Sequence, residues 1–112
     1  MGREYRAGHT LVLIRHAKSD WSSEVSDRER PLAPRGFRQA PQSGRWLATH
    51  FVGDHAIDHA VVSPAQRARS TWDLVAAELA SVPPTAVDER AYTFDGSGLL
   101  TIVRDLPEGW GT

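Results

Sequence analysis

The chain has 112 residues, enough for one domain with a modest core. Its composition, 40% hydrophobic and 24% charged, is that of an ordinary globular protein, and a formal net charge of −1 gives no general attraction to nucleic acid or anionic membrane. There is no cysteine, which excludes disulfides, thiolate zinc sites and a cysteine nucleophile. No apolar stretch approaches the roughly 20 residues of a membrane span. The N-terminus, MGREYRAGHT, lacks the apolar core of a signal peptide, and Arg6 stands where a myristoylation signal needs Ser or Thr. A cytoplasmic location is expected, with no nucleic-acid or membrane partner.

In chain order, the first element is a strand over 10–14 (TLVLI), rich in β-branched and apolar residues. An irregular polar loop, KSDWSSEVSDRERPLAP, follows, and its mixed-sign run SDRERP reads as a solvated loop. Phe37, Ala40, Gly44, Leu47, Ala48 and Phe51 then recur at helical spacing, with Pro41 expected to kink the helix or delay its start. A second strand is predicted over 59–62 (HAVV). Pro64 suits the first turn of a second helix, whose apolar stripe is Ala65, Ala68, Trp72, Val75, Ala76 and Leu79. SVPP at 81–84 ends that helix, TAVD at 85–88 is a third strand, and a third helix starts near Ser97. It is expected to turn Leu99, Leu100, Val103 and Leu106 inward before PEGWGT breaks it.

This β-α-β-α-β-α order argues for a parallel sheet covered by helices, with ligands at the carboxyl ends of the strands. Arg15 and His16 follow the first strand; Ser63 and Pro64 follow the second, just ahead of Arg67 and Arg69. A strand ending on Arg-His is either a strand reaching solvent or the mouth of an anion site. Arginine grips phosphoryl oxygens bidentately, neutral imidazole can attack phosphorus, and a helix N-terminus adds N–H donors. Arg15, His16 and Arg67 could surround one phosphate from two strand ends.

The segments LVLIRHAKS, RPLAPRGFRQA, VVSPAQRARST and VDERAY, in order and at sensible spacing, resemble the histidine phosphatase superfamily. The Arg-His-Ala form of the first motif and the Lys-Ser after it are similar to the small SixA-like phosphohistidine phosphatases. The resemblance implies a phosphoglycerate mutase-like fold, three α/β/α layers around a mostly parallel sheet. It implies that His16 is the nucleophile and that Arg15 and Arg67 clamp the phosphate. Ser63 and Pro64 would form the turn that aims Arg67, and Ser19 would supply a hydroxyl near the phosphate. The implied activity is a metal-independent phosphatase without cofactor, acting on a phosphorylated protein or a small phosphorylated substrate. Phosphohistidine on a protein is the preferred substrate. A phosphomonoesterase or mutase, or a phosphate-binding module without catalysis, is the alternative.

Two departures from the family pattern matter. The family carries a second histidine after a fourth strand that runs between the first two, and DLPEGWGT ends about where that strand should begin. Residues 1–112 are therefore expected to be the N-terminal two-thirds of one domain, C-terminally incomplete, with a gap in the sheet. The other departure is the general acid: Thr93 stands where many members have glutamate, with Glu89 and Asp95 nearby. Imidazole leaves phosphorus more readily than an alkoxide does, so phosphohistidine needs less protonation help. His55 and His59 in DHAIDH have metal-pair spacing, but Gly53 and the Val-Val run favour a loop entering a strand, so no metal site is expected. Trp46 and Trp72 are expected in the core, Trp21 as a wall of the pocket or as loop packing, and Trp110 at the edge of an interrupted structure.

Overall fold

The computed structural model describes the backbone of residues 2–6 and all of residues 9–22, 24–92, 96–107 and 109–112. Among the described residues four strands occur: β1 (Gly2–Arg6), β2 (His9–Leu13), β3 (Ala60–Val62) and β4 (Thr85–Val87). Three helices connect or follow them: α1 (Pro34–His50), α2 (Gln66–Ala76) and α3 (Ser97–Asp105). The three strands expected from apolar runs are thus β2, β3 and β4. The polar sequence of β1, GREYR, carries no strand signal; it is held by antiparallel pairing to β2, with Gly2 opposite Leu13 and Arg6 opposite His9.

The fold is a mixed α/β architecture with a parallel pair, β3 beside β4 with Ala60 opposite Thr85 and Val62 opposite Val87. Among the described residues β2 and β3 share no ladder, and the strands form two two-stranded sheets, β1-β2 and β3-β4. The last residues bridge β2 and β3 at their amino-terminal ends. Gly111 O accepts from Thr10 N at 2.7 Å, while Thr112 O accepts from Asp58 N at 2.8 Å and His59 N at 3.2 Å. Asp58 Oδ2 takes the amides of Gly111 and Thr112, and His59 stacks on Trp110 with ring centroids 3.7 Å apart. Two members of DHAIDH therefore anchor the chain's last turn.

The core forms where α1 meets α2 over β2. Leu47, Phe51 and Val75 are buried together, and Val12, Ile14, Ile57, Trp72 and Leu79 close around them. A fully buried Leu or Val stabilises by roughly 1.5–3 kcal/mol, so this small cluster carries a large share of the domain's stability. The buried face of α1 is Gly36, Ala40, Gly44 and Leu47, a four-residue ridge of mostly small side chains. Phe37, expected on that face, is instead 49% exposed. Pro41 does not delay α1, which starts at Pro34 and continues past it to His50. The bond Pro41 forfeits would reach the carbonyl of Phe37, on the outer side, where solvent can replace it.

Two further expectations are corrected. In α3 the inward residue is Ile102, while Leu99, Leu100 and Val103 are exposed and Leu106 is half-buried. α3 packs on the short turn at 89–91 and has no second layer over it among the described residues, so only one side of its apolar stripe is used. Trp46 lies on the solvent side of α1, stacked on His50, because α1 turns its small-residue ridge to the core instead. Trp72 does join the core, with its indole N–H donated to Thr85 Oγ1.

The α1–α2 crossing has no room for a side chain at Gly44: a Cβ there would sit 2.6 Å from the Val75 carbonyl oxygen and 2.9 Å from Glu78 Cβ. Gly44→Ala should therefore cost about 1–3 kcal/mol, as overpacking of a tight contact does. Chemical denaturation checks this; an unchanged midpoint and slope would show that the helices can part without penalty.

Candidate active site

Arg15 and His16 follow β2 directly, as expected. His16 Nδ1 lies 2.8 Å from the carbonyl oxygen of Ala17. A carbonyl only accepts, so Nδ1 carries the proton and neutral His16 has its lone pair on Nε2. That nitrogen has no hydrogen-bond partner among the described residues. The next peptide is fixed as well: Ala17 N donates to Thr71 Oγ1 at 3.0 Å, and Thr71 Oγ1 donates in turn to Arg67 O at 2.7 Å. Buried Thr71 ties the histidine's loop to the first turn of α2. It sits four residues after Arg67 and four before Val75, a spacing that puts all three on the buried face.

Residues 18–20 pair antiparallel with 31–33, through the Ser19–Leu32 bridge, Asp20 N to Pro31 O at 2.8 Å and Ala33 N to Lys18 O at 2.9 Å. This clamp brings Arg30 against Ser19. Gly36 completes it, because a Cβ there would come 2.2 Å from Lys18 O. The resulting open cleft, about 410 Å³, is lined by Arg15, His16, Lys18, Ser19, Trp21, Arg30 and Arg35, with Ala17 and Gln39. Among the described residues no carboxylate lines it.

The SDRERP run is solvated at Ser26, Arg28 and Glu29, but Asp27 is half-buried and Arg30 is buried. Asp27, in a 3₁₀ turn over Asp27–Glu29, accepts from Arg30 Nη2 on Oδ1 and from Arg67 Nη2 on Oδ2, both at 3.1 Å. The Tyr92 hydroxyl also donates to Oδ2, and Arg67 Nη1 donates to the Asp27 carbonyl at 2.6 Å. Arg30 and Arg67 are each only 8% exposed. Alternating signs mislead here because both arginines are buried and need a shared counter-ion. The hydrogen bond from Tyr92, then that from Arg30, hold the Asp27 carboxyl down at about 2, and the same bond raises the Tyr92 hydroxyl. Arg28 meanwhile pairs with Glu89 at 2.6 Å.

Of the five expected site residues, the structure gathers Arg15, His16 and Ser19 in one cleft. Ser19 is buried, and its hydroxyl accepts from Arg30 Nη1. Arg67 is in the second position of α2 and held by Asp27, outside the cleft lining. Ser63 follows β3 and accepts the amide of Ala65 at 3.2 Å, closing the turn that leads into Arg67. Sequence reasoning missed Asp27, Arg30 and Thr71. Glu89 pairs with Arg28, whose hydrogen bond lowers its pKa, the opposite of the shift that favours a general acid. Thr93 and Asp95 lie outside the described residues. Trp21 is 72% exposed and covers Arg30, whose guanidinium carbon lies 3.6 Å from the ring centroid.

The structure thus defines an α/β domain with a histidine at a strand's carboxyl end, set among arginines. Residues 11–92 match the model of the histidine phosphatase superfamily (branch 1), and the chain belongs to that family. Its likeness is to the SixA-like branch. A Nakamurella multipartitia structure described as a phosphohistidine phosphatase SixA shares 33% identity and a TM-score of 0.78, over 93% of this chain and 55% of its own. The protein histidine phosphatase SixA complexed with tungstate shares 27% identity and a TM-score of 0.60, over 69% of this chain and 47% of its own. A Mycobacterium tuberculosis protein is 36% identical over 93 residues, 83% of this chain and 52% of its own length. The chain thus spans about half the length of the relatives it matches.

The depressed Asp27 value sets a pH dependence. Its folded pKa lies below the ordinary 3.8, so the stabilisation is complete above 3.8 and lost as pH falls through about 2. Asp27→Asn should lower stability at neutral pH and flatten the stability–pH curve in that acid window. Denaturant titrations at several pH values check this, and an unchanged slope in the variant contradicts it.

Proposed function

We propose that the chain carries the nucleophilic half of a metal-independent phosphatase that works through a phosphohistidine intermediate. The observation that carries the reading is His16, its Nδ1 proton on the Ala17 carbonyl and its Nε2 open in a cleft of cations. The Nε2 lone pair forms the N–P bond, and the bond from phosphorus to the leaving group breaks with its electron pair on that group. The imidazole then carries positive charge, which the Ala17 carbonyl stabilises through the retained Nδ1 proton. Water attacks phosphorus next, the N–P bond breaks, and neutral His16 returns.

Arg15 and Arg67 stabilise the charge on the nonbridging oxygens, the dominant demand in phosphoryl transfer. Arg67 holds Asp27 through Nη1 and Nη2 and also donates to the Tyr92 hydroxyl. Ser19, fixed by Arg30, offers a hydroxyl beside them, and Ser63 shapes the turn into α2. Phosphohistidine on a protein is the substrate we favour. The names of the SixA structures support this choice.

We further propose that a strand following Thr112 runs between β2 and β3 and brings the second histidine. The bonds from Thr10 to Gly111 and from Asp58 and His59 to Thr112 support this path. The 112 residues alone should then turn over at least about 10²–10³-fold more slowly than a version extended along the gene, the usual loss for one missing transition-state donor. Equal kcat values would refute the incomplete-site reading. In the extended version, rapid quenching with labelled phosphohistidine peptide should leave acid-labile phosphate on His16 and none in His16→Ala; label on serine or aspartate sinks the mechanism. Its activity should survive EDTA, since arginines supply the charge a metal would provide. Loss to chelator with rescue by zinc or magnesium overturns that.

A further inference from the structure

The cleft holds more positive charge than one phosphoryl group requires. Arg15, Lys18, Arg30 and Arg35 all line it with no carboxylate among them. Only Arg30 is neutralised, by Asp27; Arg15, Lys18 and Arg35 have no ion-pair partner among the described residues. Crowding like charges opposes folding, and the backbone enforces the crowding here. Ala33 N on Lys18 O and the close approach of Gly36 bring the first turn of α1 against Lys18, and Arg35 sits in that turn. The turn contains no acidic residue to offset Arg35. Arg30 adds a second sign of a ligand: its Nε is buried without a hydrogen-bond partner, although both Nη groups are used. A buried guanidinium N–H left unmade is costly unless something fills it.

We infer that Lys18 and Arg35, with Arg30 beside them in the lining, form a second anion subsite, which takes the carboxylate of an acidic residue flanking the phosphorylated residue of a protein substrate. This rests on the phosphatase reading and adds a specificity element to it. The cleft is open, and Lys18 and Arg35 are exposed at its rim, which suits a segment on a protein surface. Exposed Trp21 gives that segment an apolar wall.

The test is a binding titration of the 112-residue chain with peptides carrying a non-hydrolysable phosphohistidine mimic. One peptide is flanked by Asp, a second by Asn, and a third is Asp-flanked without the phosphoryl group. An exposed carboxylate–cation contact is worth up to about five-fold in affinity, so the Asp-flanked phosphopeptide should bind about five-fold tighter than its Asn counterpart. In Lys18→Gln/Arg35→Gln that ratio should fall to about one, while Arg35→Lys keeps most of it. Equal affinities in the parent chain, or a ratio that survives the double substitution, overturn the subsite. Both substitutions are at exposed positions, and a thermal melt confirms folding. A small bisphosphate that competes better than the Asp-flanked peptide overturns the protein-carboxylate assignment. Loss of the phosphoryl group with no loss of affinity counts instead against the phosphatase reading, so the two failures are distinct.

Discussion

Asp27 is the carboxylate on which the carboxyl-end loops depend. Arg30 comes from the loop after β2, Arg67 from the helix after β3 and Tyr92 from the turn after β4, and all three donate to it. Two of those donors are buried cations, and a buried cation stripped of its counter-ion costs several kcal/mol. Without Asp27 the loops would have to move apart to hydrate Arg30 and Arg67. The geometry at the three strand ends is therefore one electrostatic unit.

His16 is held by a different kind of constraint. Its ring is fixed by its own neighbour's carbonyl, and that neighbour's amide is fixed by Thr71 in α2. These bonds use backbone groups, which stay put when side chains exchange rotamers. Catalysis falls steeply with misplacement of about 1 Å, so such fixing suits the nucleophilic role proposed for His16. Thr71 also bonds the carbonyl of Arg67, so the backbones beside His16 and Arg67 share one hydroxyl.

The helices set the spacing of this unit. Gly44 lets α1 meet α2 at backbone contact, and Gly36 lets the start of α1 meet Lys18. The same approach that seats Leu47 in the core thereby brings Arg35 to the cleft. Away from this corner the apolar surface is less complete: Leu13, Val87, Leu99, Leu100 and Val103 are exposed. Stability in the described residues is thus concentrated where α1, α2 and β2 meet, beside the cleft.

Periodicity and punctuation in the sequence determined the order of strands and helices, because apolar runs such as LVLI and VV and breaks such as SVPP act locally. The Arg-His after the first strand and the Ser-Pro before the second helix were legible for the same reason: chain direction puts both at carboxyl ends. The polar strand β1 was not legible, since only its pairing with β2 makes it a strand. Nor were the roles of Asp27 and Arg30, because a mixed-sign run reads the same whether solvated or buried. Which face of α1 turns inward was decided by the helix crossing, where small residues outrank Phe37 and Trp46. Local chemistry fixed which residues could act; the long-range contacts of Asp27, Thr71, Gly36 and Gly44 decided which of them meet, because those contacts join segments that no local pattern connects.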